Sequence, residues 1–566
     1  MLRIDLVPTK EQQEIYDYCP LDMLITAPAG CGKTEALAYR AKGLISRFSF
    51  AGNGRKLLIV TFTNQARDNI NERLKKYVGT QALKQHVTVC NFHGLASRII
   101  NAHRSVIGFD DNWRIANFDW TRRAINTLSC SQDVKQKVAA ALQSTKQQCI
   151  SDTDVAEQLH RLPSPIKELA ASIEAMRIKE KVITYDDQIR VALWILQNNT
   201  VAKVYRNHFF AALVDEFQDL TPHQLTLVRE LCGENVTYAG DLAQSIFSFA
   251  GADSRLTYKS IAKHGRKQIK LLKSFRSSPA VLNSVNSLSP MTGSEPLAAA
   301  YPEHWVNGGL ASSVSFVNQN DEAKWIVETS QFILNHCPAQ RIGIVARTAF
   351  RASEIRRYLE HENIEYADWG NGLFRPKVAA ELRDTCDLLS NKTFEKQLDL
   401  YLFIGERIKS AQRVPSDELE EASGWLFDQV SQFGLPKIHE IKARIRESKG
   451  DETIATRPGI HCLTGHAGKG QQFDWVFVIG LEQGSIPFYK ANTDEEQREE
   501  ARILSVMISR ARIGLIATST SRNTRGFKNY PSVFSQYLTS VTGHLAGKDE
   551  IESWFAKTDW QAIAIT

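Results

Sequence analysis

Residues 22–34 read Asp22-Met-Leu-Ile-Thr-Ala-Pro-Ala-Gly-Cys-Gly-Lys33-Thr34: a short apolar run, a loop of small residues, then a lysine and a hydroxyl. The run has the composition of a buried parallel strand. Gly30 and Gly32 let backbone N–H groups turn inward around an anion. A helix starting near Lys33 directs its positive end at the same anion. Ala27, Ala29, Gly30, Cys31, Gly32, Lys33 and Thr34 are therefore read as a phosphate cradle, with Ala27 where the P-loop pattern has its first glycine. Lys33 is expected to neutralise the β- and γ-phosphates, and Thr34 to place its hydroxyl on Mg²⁺. A second run, Ala211-Ala-Leu-Val-Asp215-Glu216-Phe-Gln-Asp219, ends an apolar strand in adjacent carboxylates. Ligands of open α/β sheets bind at the carboxyl ends of strands. Asp215 is thus a candidate for the outer shell of the metal, and Glu216 for the base that orients and deprotonates an attacking water. Together the two runs imply hydrolysis of a nucleoside triphosphate with Mg²⁺.

Further runs of the same kind cover 57–62, 87–92, 236–240, 342–347, 476–480 and 515–518, alternating with helical stretches. The alternation predicts an α/β fold, and two strand-free helical stretches divide it into two α/β cores built on parallel sheets, each interrupted by a helical insertion. The first core is expected over 1–100 and 186–280, with an insertion at 101–185 containing helices at 133–146 and 156–181. The second is expected over 281–391 and 456–540, closing with a helix near 531–538, with an insertion at 392–455 and a tail at 541–566 that carries Trp554 and Trp560. Lys and Arg outnumber Asp and Glu 69 to 63, a net +6 that permits a nucleic-acid partner without requiring one. Nine scattered cysteines with no Cys-x-x-Cys pair argue against a zinc ribbon or an iron–sulfur cluster and fit a reducing compartment. No signal-peptide pattern or membrane-length apolar run occurs, so a cytoplasmic location is expected.

Arg276, in Leu-Leu-Lys-Ser-Phe-Arg-Ser-Ser, and Arg510, in Ser-Val-Met-Ile-Ser-Arg-Ala-Arg, carry planar guanidiniums suited to charge on a transferring phosphoryl group. Taken alone each reads more readily as a surface arginine, and spacing cannot bring either to a phosphate.

These strings, with others in the same order, resemble the UvrD/Rep/PcrA group of superfamily 1 DNA helicases over most of the chain. Thr9-Lys-Glu-Gln12 is similar to the family's Q motif, which assigns Gln12 to the adenine. Thr61-Phe62-Thr63-Asn64-Gln-Ala66 and Asn91-Phe92-His93-Gly94 resemble motifs that touch single-stranded DNA. Ile183-Thr-Tyr-Asp186-Asp187 resembles the segment that returns the chain to the first core. Gly240-Asp241-Leu-Ala-Gln244-Ser-Ile-Phe247-Ser-Phe249-Ala250 is similar to motif III, in which the glutamine senses the γ-phosphate and the aromatics stack on bases. Ser274-Phe275-Arg276-Ser277 resembles motif IV, with Phe275 on the adenine. Thr464-Gly-His466 through Gln472-Phe473 resembles motif V, and Glu499-Glu500-Ala-Arg502 with Ser509-Arg510-Ala511 resembles motif VI. The likeness raises Arg276 and Arg510 to arginine fingers and adds Gln472 to the nucleotide site. Cys31, Glu35, Ala250 and Gln472 depart from the family pattern: Glu35 stands where an arginine lies beside the adenine, and Gln472 replaces a glutamate near the sugar. The insertions are short for the family, which implies reduced autoinhibition by the second.

The resemblance implies a translocase that moves 3′ to 5′ on single-stranded DNA, with ATP bound in a cleft between the cores and the strand crossing both. Phe62, Phe92, Phe247 and Phe249 are then candidates for sequence-blind base stacking, His93 for a polar contact, and Thr63, Asn64, Thr464 and His466 for further DNA contacts. Against this, an isolated phenylalanine in such a fold packs in the core. Three other readings stay open. One is a DNA-stimulated ATPase subunit of a nuclease, repair or anti-phage assembly, another a binding module with degenerate catalysis, and the third an enzyme acting on RNA.

Overall fold

The computed structural model describes residues 8–48, 53–61, 64–116, 120–242, 254–264, 266–348, 350–369, 373–374, 376–390, 400, 403–404, 426, 429–430, 434–447, 457–465, 471–489, 491–523, 526, 528–542 and 547–565. The chain divides into two compact units. One holds Leu2–Pro28 and Gly32–Leu271; the other holds Leu272–Thr566 together with the three-residue loop tip Ala29–Cys31.

The amino-terminal unit is built on six parallel strands: β1 (Met23–Thr26), β2 (Lys56–Thr61), β3 (Val87–Asn91), β4 (Phe209–Asp215), β5 (Val236–Gly240) and β6 (Lys267–Lys270). Their order across the sheet is β3-β2-β4-β5-β1-β6. Each interior strand is buried on both faces, as its unbroken apolar run requires. Neighbouring registers pair Thr26 with Gly240, and Asp215 with Ala239. The carboxyl ends of β4, β5 and β1 therefore lie side by side. Helix α1 (Lys10–Asp17) precedes β1, α2 (Lys33–Arg47) lies between β1 and β2, and α3 (Asn64–Val78) follows β2. Arg40 on α2, 1% exposed, donates to the carbonyls of Ile15 and Cys19 at 3.3 and 2.6 Å and to Thr237 Oγ1 at 3.2 Å, which fixes the end of α1 on α2.

The helical stretch after β3 has its own apolar cluster around Val138, Leu142, Val155, Leu159 and Ile173. The single helix expected over 156–181 is two, Asp152–His160 and Ile166–Lys179, separated by the segment containing Pro163 and Pro165. Proline removes an N–H donor and clashes with the preceding turn, so the helix breaks there. A buried ion cluster binds this region together. Lys146 meets Glu174 at 3.1 Å and Asp187 at 2.9 Å, and Arg190 and Arg177 both reach Asp152 at 2.7 Å.

The carboxy-terminal unit has six parallel strands: β7 (Leu310–Phe316), β8 (Arg341–Ala346), β9 (Tyr366–Asp368), β10 (Gly459–Thr464), β11 (Phe473–Ile479) and β12 (Ala511–Thr520). The order is β7-β12-β11-β8-β10-β9. Its boundaries differ from those expected in three places. The units separate at Leu271 rather than at 280, so Ser274–Ser277 belongs to this unit. Helix Pro376–Ser390, expected in the core, contributes Val378, Leu382, Cys386 and Leu389 to a separate cluster with Leu400, Ile404, Leu426, Val430 and Ile441. The stretch 541–566 is no loose tail, because helices Lys548–Ala556 and Trp560–Ile565 bury Ile551, Phe555 and Ile563 in the same core as Trp475 and Phe477. The closing helix runs Ser535–Thr542, four residues later than expected and overlapping the expected stretch over 535–538.

Candidate functional site

The phosphate loop leaves β1 with Ala27, 1% exposed, whose N–H donates to the carbonyl of Gly240 at 2.9 Å. Gly30 and Gly32 have φ of +81° and +79°, the left-handed region that side chains rarely adopt. Gly32 is the N-cap of α2, so Lys33, Thr34 and Glu35 form the helix's first turn. Cys31 is 1% exposed, and its thiol packs inward.

Lys33, at the start of α2, forms an ionic triad with Asp215 and Glu216 at the end of β4. Lys33 Nζ lies 3.3 Å from Asp215 Oδ1 and also contacts Glu216 Oε1. Burial by itself would push the Lys33 ammonium down, but the two carboxylates outweigh it and raise its pKa. Burial pushes the Asp215 carboxyl up, with Lys33 opposing and the charge of Glu216 adding to the rise. The nearer carboxylate to solvent is Glu216, its side chain 26% exposed against 7% for Asp215. Glu216 adopts φ +55°, ψ +48°, a strained conformation for a residue with a Cβ.

A residue the sequence reading did not single out holds this arrangement. Gln218 is fully buried. Its Nε2 donates to Glu216 Oε2 at 2.6 Å, and its Oε1 accepts from the N–H of Asp241 at 3.0 Å. One amide thus fixes both the candidate base and the strand end from which the motif III string departs. Gly240 is needed beside it: a Cβ there would sit 2.2 Å from Gln218 Oε1. The signal lay in the Asp-Glu-Phe-Gln-Asp string, where Gln218 is two residues from Glu216. Thr34 and Asp215 offer a hydroxyl and a carboxylate, hard oxygen donors that suit Mg²⁺.

Within the carboxy-terminal unit the loop tip meets one of the two candidate fingers, Arg276. Phe275 N–H donates to Gly30 O at 2.9 Å. A Cβ at Gly30 would lie 2.6 Å from Arg276 Cβ, so only glycine allows this approach. Ser277 Oγ donates to Ala511 O at 2.7 Å and Ser278 Oγ to Ile513 O at 3.0 Å, which pins the segment after Arg276 to the start of β12. Arg510 immediately precedes that start. It is 2% exposed and donates to Gly465 O at 3.0 Å. Its pKa is lowered to about 10, first by burial and then by the charge of Arg276. The Gln472 amide, with its oxygen turned to Arg276, accepts from Nε and Nη2 at 3.1 and 3.0 Å. A guanidinium is a planar donor fork, a shape that suits an anion. Phe275 is 38% exposed and presents a ring beside Tyr301.

The other expected residues fall as follows. Gln12 caps α1 in a box with Thr9, its Oε1 accepting from Thr9 N–H at 3.0 Å. Phe92 is 1% exposed inside the core cluster and has no face for a base, which corrects its assignment to stacking. His93 stacks on Tyr185 at 3.6 Å, and burial lowers its pKa to about 4, so it is a neutral ring. Asn64 opens α3, and Thr464 ends β10. Phe62, Thr63, Gln244, Phe247, Phe249, Ala250 and His466 lie outside the described residues. Three other exposed rings follow strand ends in the carboxy-terminal unit and were not anticipated: Phe350 (77%), Tyr489 (64%) and Tyr530 (63%), the last with Lys528 Nζ 5.3 Å from its centroid. Among the described residues no cluster of His, Cys, Asp and Glu has the makings of a metal site, and no helix is long and apolar enough to cross a membrane.

Residues 8–264 match the UvrD/REP helicase N-terminal domain, and residues 407–522 match the UvrD-like helicase C-terminal domain. The ATP-dependent DNA helicase PcrA of Staphylococcus aureus (strain Mu50) is 23% identical over 95% of this chain and 87% of its own length. The ATP-dependent DNA helicase UvrD2 of Mycobacterium bovis is 24% identical over 89% of this chain and 77% of its own. With both domains matched in order along it, the chain belongs to the UvrD-like family of ATP-dependent DNA helicases.

Proposed function

We propose that the protein is a single-stranded DNA translocase that moves 3′ to 5′ and separates duplex ahead of it, in DNA repair, recombination or defence against phage. The observation that carries the reading is the ionic triad of Lys33, Asp215 and Glu216, with Gln218 fixing Glu216 by a 2.6 Å hydrogen bond. In this reading Lys33 passes from the carboxylates to the triphosphate when ATP binds. Thr34 and Asp215 would hold Mg²⁺, which would supply charge neutralisation to the triphosphate. Glu216, the more exposed carboxylate, orients a water and takes its proton. Arg276 and Arg510 stabilise charge on the transferring oxygens, Gln472 holds Arg276 in position, and Gln12 and Phe275 receive the adenine. Thr63, Asn64, Thr464 and His466 contact DNA. Phe62, Phe247 and Phe249 stack on bases, and the exposed rings of Phe350, Tyr489 and Tyr530 extend that set. Stacking is indifferent to base identity, which suits a motor that must pass any sequence.

ATP turnover measured with single-stranded DNA, duplex DNA, RNA or no nucleic acid tests this reading. Single-stranded DNA should stimulate the wild type, and Lys33→Ala and Glu216→Gln should abolish turnover. Turnover indifferent to every nucleic acid would refute the coupling; stimulation that appears only with a partner protein would favour the subunit reading.

A further inference from the structure

Glu35 occupies the first turn of α2, the turn whose backbone N–H groups and positive end serve the phosphates. A bare carboxylate there opposes the field that attracts a triphosphate. It is not bare: its side chain is 15% exposed, and both oxygens are engaged, one by the guanidinium of Arg73 and the other by the hydroxyl of Tyr77. Arg73 and Tyr77 are four residues apart on α3 and so share one face of that helix. Aromatic contacts run through the same place: Tyr77 lies 5.0 Å from Tyr39 on α2, and Tyr39 lies 6.3 Å from Tyr16 on α1, the helix of Gln12. The three helices that bear the proposed adenine residue, the phosphate lysine and the proposed DNA segment at Asn64 are thus joined at one cluster.

We propose that Arg73 and Tyr77 form a clasp that neutralises Glu35, so that the position of α3 sets the affinity of the loop for ATP. Arg73 is a positioning residue in this scheme: it touches neither nucleotide nor DNA but decides how much of the Glu35 charge the triphosphate meets. The DNA half rests on the function proposed above. α3 begins in the segment assigned to the strand, so bound DNA that fixes α3 holds the clasp closed and tightens ATP binding.

The test is equilibrium binding of a fluorescent, non-hydrolysable ATP analogue with Mg²⁺, with and without a single-stranded oligonucleotide. It is made on the full chain as wild type, Arg73→Ala, Glu35→Gln and the double variant. Arg73→Ala should weaken the analogue about tenfold, less at high salt, and lose the oligonucleotide effect. Glu35→Gln should bind at least as tightly as wild type, and the double variant should return to within about twofold of it, because the charge that needed neutralising is gone. Arg73→Gln repeats the test with a longer side chain, and thermal melting of each variant separates loss of fold from loss of affinity. Weakening in Arg73→Ala that Glu35→Gln does not rescue would reduce the cluster to packing and overturn the proposal. Failure of the wild type to bind the analogue would instead overturn the nucleotide site itself. A wild-type affinity unmoved by oligonucleotide would overturn the DNA half alone.

Discussion

Gln218→Glu is the substitution that most cleanly separates positioning from folding at the carboxylates. The variant keeps the volume of the buried side chain, and one of its oxygens still accepts from Asp241 N–H, the 3.0 Å bond of the native amide. What changes is the other end, where a donor 2.6 Å from Glu216 Oε2 becomes an oxygen. Two ionised carboxylates at that separation would repel by about 6 kcal/mol at an effective dielectric constant of about 20. The pair escapes by keeping a proton between them, as closely spaced carboxyls do. Glu216 then spends most of its time at neutral pH as a neutral or hydrogen-bonded acid and cannot accept a proton from water. DNA-stimulated kcat should fall at least tenfold at neutral pH, up to the roughly 10²–10⁴-fold that a positioned base supplies. Because the shared proton leaves only at higher pH, the acid limb of the pH–rate profile should move upward and activity should partly recover in alkaline buffer. KM for ATP should change little. Gln218→Ala is the contrasting control: it removes the buried acceptor of the Asp241 N–H and should lower stability by about 1–3 kcal/mol as well as rate. A Gln218→Glu enzyme with wild-type kcat and an unmoved acid limb would refute the reasoning.

Gly240→Ala should lower the melting temperature and the turnover together, because its Cβ would sit 2.2 Å from Gln218 Oε1 and 2.6 Å from Phe217 Cδ1, an overpacking worth about 1–3 kcal/mol. Phe555→Ala should cost about 3–5 kcal/mol in urea unfolding, since Phe555 is 5% exposed in the core of the carboxy-terminal unit; a loss below about 1 kcal/mol would show the last helices to be an appendage. His93 and His461 both titrate near 4 in the fold, their pKa values lowered by burial from about 6.5. The unfolded chain therefore binds protons first, so stability should be full above about pH 6.5 and fall toward acid by up to about 1.4 kcal/mol per pH unit for each ring. A urea midpoint that stays flat between about pH 7 and 5 would contradict that.

The nucleotide half of the fold was legible because its residues are constrained locally. A strand, two glycines at positive φ and a lysine at a helix start must follow one another in sequence, and Asp215 and Glu216 must follow a buried strand. Gln218 was missed because its partners, Glu216 and Asp241, become neighbours only when β4 and β5 pair. The strands β6, β7, β9 and β10 went unread: β6 is polar on its exposed residues, and β7 is rich in serine, so neither shows the unbroken apolar run of the central strands. Phe92 shows the limit of motif reading. Its neighbours Asn91 and Gly94 form a helix cap, with Gly94 N–H donating to Asn91 Oδ1 at 2.6 Å, and that cap turns the ring into the core. Helix Pro376–Ser390 was assigned to the wrong core because its apolar positions fix only that it has a buried face, not which elements cover it. A deletion of 392–455 alone would uncover that face, so any test of regulation by this insertion must remove the helix too.

The central claim is that hydrolysis at Lys33, Asp215 and Glu216 drives directional strand separation. Strand displacement on 3′-tailed and 5′-tailed duplexes, with wild type and Glu216→Gln compared at saturating ATP, tests it most directly. The account predicts ATP-dependent release from the 3′-tailed duplex by the wild type and none by the variant; release that persists in Glu216→Gln, or that runs only from the 5′-tailed duplex, would contradict it.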